Sequence, residues 1–336
     1  MRLGASNVYL LDAGDALVAV DAGPDYEGAW ESALAQLAEA GLQPGDVKQV
    51  LVTHGHVDHC GLASRWQQEA GARVWIAAED AERLRHGGRD ASRARDHALR
   101  FLAACGVPAA LIESRPGRSR QSPAPSEAEH GGRRLANLRS VAPEHGEWPA
   151  PLRATPAEPD GLIDTARPLE IGTLRLRPML CPGHTPGSVL VFDEASGDLY
   201  TGDHVLERIA PTPGIQFDEH GGRIRSLPLY LRSLQAVREL QPRRVLPGHG
   251  EPFVDLAGAV DRVTRTFEQH AARLLRRLQQ GPDTPWGLVS RLYPHLRPEA
   301  AWLVLAEVVG LLDLLEERRQ VQLEAERPRT YRPTNG

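Results

Sequence analysis

Short apolar runs closed by glycine-containing turns fill the first three quarters of the chain; longer stretches with helical spacing fill the rest. Asn7 to Leu11 and Ala16 to Val20 are β-type runs joined by Ala13-Gly14-Asp15, which predicts a hairpin ending at Asp21-Ala22-Gly23. Trp30 to Ala40 has helical spacing and stops before Gly41. Val50-Leu51-Val52 reads as a buried strand, and Leu62 to Ala70 as a helix that Gly71 ends. Arg73 to Ala77 reads as a strand, and Glu79 to Arg85 and Ala91 to Cys105 as helices. After an irregular stretch, Leu174 to Leu180, Ser188 to Phe192 and Leu199 to Thr201 read as strands, with a hairpin turn at Ala195-Ser196-Gly197-Asp198. Pro228 to Leu240 predicts an amphipathic helix and Arg244-Val245-Leu246 a last strand. Beyond them lie a long helix from Leu256 to Gln280, two more at Thr284 to Tyr293 and Pro298 to Glu317, and a two-stranded ending that includes Val321 to Leu323 and Thr330 to Arg332.

A length of 336 residues suits about two domains. The formal net charge of −5 argues against a general polyanion binder. The absence of any run of eighteen apolar residues, and of a signal-peptide pattern, sets a cytoplasmic protein without a membrane partner as the expectation. Cys60, Cys105 and Cys181 are widely spaced and read as reduced, buried thiols; Cys60 and Cys181 are close enough to the polar turns described next to line a pocket instead. Lys48 is the only lysine among 39 basic residues, an arginine bias that fits a GC-rich bacterial genome. Residues 113–160 are the least regular part. Between 113 and 139 six arginines face three glutamates, a local net of +3, and no aromatic residues interleave with them. A solvated insertion between the two halves of the fold is the favoured reading; a lid or an anion-recognition segment for phosphate, carboxylate or RNA is the alternative.

Candidate chemistry gathers in Thr53-His54-Gly55-His56-Val57-Asp58-His59, at the turn between a predicted strand and helix. Neutral imidazole and carboxylate are ligands for zinc and similar divalent ions. His54 and His56, two apart, project to one side of an extended segment, while Asp58 and His59 can reach a second point once the chain turns. A tetrahedral ion takes about four ligands, so a second ion requires donors from elsewhere. Three later turns offer them: Cys181-Pro182-Gly183-His184, Thr201-Gly202-Asp203-His204 and Leu246-Pro247-Gly248-His249. Each sets His or Asp beside a glycine that lets the backbone turn sharply.

That series, from about Asn7 to Phe253, resembles the metallo-β-lactamase-fold hydrolases, with glyoxalase-II-like metal motifs. The resemblance implies an α/β fold, an αββα sandwich of two mixed sheets with helices outside and the ligands along one edge. It implies His54, His56 and His184 as ligands of one metal, Asp58, His59 and His249 as ligands of a second, and Asp203 as the bridge. Zinc suits this set, with iron or manganese as alternatives. Asp21 is the candidate for support of the site from behind. His204 is the candidate for either a substrate contact or a supporting role. The family implies a further strand before Asn7, so the start reads as short. The tail resembles the winged-helix-like α+β domain of one subgroup, the β-lactamase-like-protein-2 type. The expected division is a catalytic domain over 1–258 and a linking helix with the tail over 259–336. Acidic residues balance the tail's arginines, so packing on the catalytic domain or in a homodimer is preferred to DNA reading.

The expected activity is dinuclear metal-dependent hydrolysis. Two ions roughly 3.5–4 Å apart would hold a bridging hydroxide that attacks a small ester, thioester or lactone, with Asp58 orienting it and moving a proton. A metal-dependent endoribonuclease or phosphodiesterase is the second reading. A binding module that keeps metal for structure is the third, and the intact ligand set counts against it.

Overall fold

The computed structural model describes residues 6–88, 92–113, 136–139, 152, 154–211, 213–218, 220–296 and 298–334. Five of the six arginines of the basic stretch, Arg115, Arg118, Arg120, Arg133 and Arg134, lie outside them.

The first half of the chain builds a six-stranded sheet. Its elements are β1 (Asn7–Asp12), β2 (Leu17–Val20), α1 (Ala29–Glu39), β3 (Val47–Leu51), α2 (Val57–Cys60), α3 (Ala63–Ala70), β4 (Arg73–Ile76), α4 (Ala78–Arg85), α5 (Ser92–Ala104), α6 (Ala109–Glu113), β5 (Ala136–Arg139) and β6 (Gly161–Leu162). The strand order is β5-β1-β2-β3-β4-β6. β1 pairs antiparallel with β2 and β5; β2 to β3, β3 to β4 and β4 to β6 are parallel. The second sheet, β13-β10-β9-β8-β7, is built from β7 (Leu169–Ile171), β8 (Leu174–Leu180), β9 (Val189–Asp193), β10 (Asp198–Gly202) and, after the β11 (Gln216–Phe217) and β12 (Arg223–Ile224) hairpin and α7 (Ser226–Arg238), β13 (Arg244–Pro247). The tail follows as α8 (Leu256–Leu278), α9 (Pro285–Leu292), α10 (Pro298–Glu317) and the hairpin of β14 (Val321–Glu326) and β15 (Arg329–Pro333).

Side-chain alternation divides the interior into layers. Along β1, Val8 and Leu10 join a cluster with Trp30, Leu37 and Trp66 of α1 and α3, while Tyr9 and Leu11 join Leu176, Val191 and Tyr200 of the other sheet. The two sheets therefore stack face to face, with α1 and α3 outside one of them. The Tyr9 and Tyr200 rings meet edge to face at 5.4 Å between the sheets. The second sheet's outer face, through Leu190 and Leu199, packs on α7 and α8.

That outer cluster continues into the tail. Leu288 and Val289 of α9, Leu305, Val308 and Leu312 of α10 and Tyr331 of β15 belong to it together with Leu199, Leu234 and Val263. The backbone N–H of Trp286 donates to the Cys105 carbonyl at 3.0 Å, so α9 starts on the end of α5. The buried Asp313 carboxylate of α10 accepts from the Arg223 guanidinium at 2.6 Å, which ties the tail to β12. No helix among the described residues is long and apolar enough to cross a membrane.

Helix ends follow the expected punctuation: α3 stops at Gly71, whose φ of +70° is the left-handed conformation that glycine adopts at no steric cost. Several elements depart from the sequence reading. β5 lies inside the stretch expected to be irregular, as a strand of four residues paired, among the described residues, only to β1. α7 begins at Ser226, before Pro228, because proline in the first turn loses no helical hydrogen bond. The two-residue strands β6, β11 and β12 are too short to carry a periodicity.

Leu305 is fully buried where the tail meets the sandwich. Leu305→Ala should cost about 2–5 kcal/mol through the cavity it leaves. If sandwich and tail share one core, denaturant unfolding followed by tryptophan fluorescence stays a single transition at a lower midpoint. A separate early transition, with the main one unmoved, would show a tail that folds on its own.

Candidate metal centre

Every turn that carries a candidate donor leaves the end of a strand. His54 and His56 follow β3, His184 follows β8, Asp203 follows β10 and His249 follows β13. His56 is the N-cap of α2 in extended backbone, and its carbonyl accepts from the N–H groups of His59 and Cys60. The short helix thereby turns Asp58 and His59 back toward His249. Backbone bonds tie the two sheets at the site: Val189 N–H donates to the Thr53 carbonyl at 2.8 Å, and Asn7 N–H to that of Gly248 at 2.8 Å.

The donors meet in overlapping groups. His54 Nε2 and His184 Nε2 each lie 3.0 Å from His56 Nδ1. His59 Nε2 is 3.3 Å from His249 Nε2, which is 3.3 Å from Asp58 Oδ2. The Asp203 carboxylate stands between the two groups, with Oδ2 3.7 Å from His184 Nε2 and 3.4 Å from His249 Nε2. The sets His54, His56, His184 and Asp58, His59, His249, with a third joining His54, His59 and Asp203, each have the spacing to hold a metal ion. His54, His59, His184, Asp203 and His249 are buried; His56 and Asp58 are half-buried, so the centre opens to solvent on the α2 side.

Asp21 and Thr53 decide which ring nitrogens face inward. Asp21 Oδ2 lies 2.7 Å from His59 Nδ1 and accepts from the Thr53 hydroxyl at 3.0 Å; its Oδ1 accepts from Thr53 N–H at 2.7 Å. With its hydroxyl proton committed to Asp21, Thr53 Oγ1 can only accept from His54 Nδ1, 3.1 Å away. In their neutral forms both imidazoles then present an unprotonated Nε2 to the centre. Asp21 does this from a φ of +68°, left-handed backbone that costs roughly 1–2 kcal/mol in a non-glycine residue.

The residues fit a cation. His56 Nδ1 faces two imidazole nitrogens and can donate at most one proton, so nitrogen lone pairs are left pointing at one another in a buried place. Such an arrangement is costly unless a positive charge sits among them. The titration shifts say the same. Burial, then the neighbouring His59, holds His54 well below the usual imidazole range. Burial opposes charge on His59 and His249 too, but Asp203, with Asp21 and Asp58 beside His59 and Asp58 beside His249, overrides it; His249 rises to about 10. Asp203 is driven down by His249 and His59 against its own burial. The carboxylates thus create a negative potential at the inner ring nitrogens.

His204 lies away from the open side. It is buried, its ring packs edge-on against Tyr230 at 4.9 Å, and its Nε2 is 3.1 Å from Ser233 Oγ. Burial, reinforced by His184, pushes it down to about 3, so it stays neutral. Cys60 and Cys181 are buried, and burial pushes the Cys181 thiol up to about 12. Other positioning groups carried no signal in the sequence. Asn7 Nδ2 donates to the Pro247 and Gly250 carbonyls at 2.9 and 2.8 Å, and Tyr9 Oη to Pro247 at 2.8 Å, which fixes the turn of His249. Gln216 Nε2 donates to the His184 carbonyl at 2.7 Å.

The family model of the metallo-beta-lactamase superfamily matches residues 1–249, and the chain belongs to that superfamily. It is 26% identical over 326 residues to the probable metallo-hydrolase YqjP of Bacillus subtilis, a match covering 94% of this chain and 88% of that protein. Among solved structures it is similar to a metallo-beta-lactamase family protein of Thermus thermophilus, at 26% identity and a TM-score of 0.75, covering 98% of this chain and 94% of that one. A beta-lactamase domain protein of Burkholderia ambifaria shares the fold at 22% identity and a TM-score of 0.64, over 95% of this chain and 84% of that one.

Asp21→Ala removes the acceptor that orients His59. It should weaken metal binding by roughly 10- to 100-fold, read as zinc retained against a competing chelator. Retention equal to the parent chain would show that Asp21 serves only its own turn.

Proposed function

We propose that this metallo-hydrolase of the metallo-beta-lactamase superfamily is a two-metal hydrolase of small esters, thioesters or lactones. The observation that carries the reading is the place of the Asp203 carboxylate, within 4 Å of both His184 Nε2 and His249 Nε2. In this reading His54, His56 and His184 hold one divalent ion, Asp58, His59 and His249 hold the other, and Asp203 contacts both. Imidazole-rich donors favour zinc, with iron and manganese compatible with the same set. Such ions supply Lewis acidity toward the scissile oxygen and make water acidic enough to react near neutral pH.

The chain's own groups do the rest. Thr53 and Asp21 hold the outer nitrogens of His54 and His59, so that in the neutral rings the inner Nε2 is the one aimed at the ion. Asp58 is the half-exposed carboxylate of the group, with Oδ2 beside His249. It is placed to accept the proton of the attacking water and return it to the leaving atom. Burial of His54, His59, His184, Asp203 and His249 keeps bulk water out and strengthens each charge interaction. The apolar packing of α8, α9 and α10 supports reading the tail as a brace for the second sheet, whatever its likeness to a winged helix.

Two measurements test the proposal together. Turnover of a chromogenic thioester should depend on zinc and vanish on chelation, and Asp203→Ala should retain one metal equivalent or fewer and lose hydrolysis. Full metal content and activity in Asp203→Ala would remove it as the shared ligand. Cleavage of labelled single-stranded RNA, suppressed by salt and lost in Asp58→Ala, with no thioester turnover, would replace the small-molecule reading with a nuclease.

A further inference from the structure

Asp80 sits in the first turn of α4, is fully buried, and has no part in the donor set. Its carboxylate nevertheless joins the two ligand turns that come from different sheets. Oδ2 accepts from Gly55 N–H at 2.7 Å and from the Thr185 hydroxyl at 2.6 Å, and Oδ1 accepts from Gly187 N–H at 3.1 Å. Gly55 lies between His54 and His56, and Thr185 follows His184. Thr185 is itself held by Ser188, whose Oγ accepts from Thr185 N–H at 3.0 Å. Both turns approach α4 too closely for a side chain. A Cβ at Gly187 would lie 2.7 Å from Asp80 N and 2.8 Å from Asp80 Cβ, and one at Gly55 would lie 2.7 Å from Arg83 Cβ. The helix N-terminus adds its own attraction for the carboxylate.

We infer that Asp80 is the positioning residue of the three-histidine group: one buried carboxylate sets the distance between the His54–His56 turn and the His184 turn, and so the affinity of that group for metal. The inference rests on reading His54, His56 and His184 as ligands of one ion. Asp80 touches none of these imidazoles. It acts through the backbone of Gly55 and Gly187 and through the Thr185 hydroxyl.

Asp80→Asn keeps the shape and the acceptor for Gly55 and Thr185, but sets an NH2 group against the Gly187 N–H. Thr185→Val removes one donor without touching the helix, and Thr185→Ser restores the hydroxyl. The test titrates each full-length variant with zinc against a competing chelator, alone and in the His249→Ala background, which disables the other group. Asp80→Asn and Thr185→Val should weaken one of the two sites by about 10- to 100-fold, leave the other unchanged, and show the same loss in the His249→Ala background. Thr185→Ser should bind as the parent chain does. Equal weakening of both sites, or no change in a folded Asp80→Asn or Thr185→Val protein, would overturn the inference. A parent chain that binds no zinc would instead sink the metal-centre reading beneath it.

Discussion

Six candidate donor side chains, with the Asp203 carboxylate between them, point at one another in a largely water-excluded corner, and the rest of the molecule has to make that arrangement stable. Unpaired lone pairs cost several kcal/mol when buried and cannot be left to find their own geometry. They are held by strand ends, which are rigid, and by hydrogen-bonded polar groups behind them. Asp21 is the clearest case: its two oxygens accept from His59, Thr53 N–H and Thr53 Oγ1, and the backbone adopts a strained φ to put them there. The stacking of the two sheets matters for the same reason, since His54, His56, Asp58 and His59 belong to one sheet's edge and His184, Asp203 and His249 to the other's.

The donors themselves were legible in the chain because their chemistry is local. Histidine and aspartate beside glycine, each closing a short apolar run, mark turns at strand ends without any knowledge of the fold. The buried strands were legible by the same apolar runs, and the tail helices by spacing and capping, down to Thr284 accepting from Gly287 N–H at the start of α9. Asp80 was not. In Glu79-Asp80-Ala81-Glu82-Arg83 it reads as one more charge on a solvated helix face, and its partner Thr185 is more than a hundred residues away. Asn7 carries no signal for the same reason, since its contacts are with a turn of the other sheet, and the role of Thr53 depends on Asp21 at the end of the neighbouring strand, 32 residues away. β5 escaped notice because a four-residue edge strand held by one neighbour needs no pattern of its own.

His204 illustrates the limit in the other direction. Its position next to Asp203 allowed two readings, a contact for substrate or a support. The ring is enclosed by Tyr230 and Ser233, and burial keeps it neutral, so its side chain acts on the packing behind Asp203 and not on the open face. The tail likewise gains its meaning from packing. Its apolar residues complete the layer outside the second sheet, the layer that α1 and α3 supply for the first.

The central claim is that two ions share the Asp203 carboxylate. Anomalous X-ray diffraction from crystals grown with zinc, collected on both sides of the zinc absorption edge, tests it directly. The account predicts two anomalous peaks, one among His54, His56 and His184 and one among Asp58, His59 and His249, with Asp203 in contact with both. A single peak, or two that leave Asp203 unliganded, would contradict it.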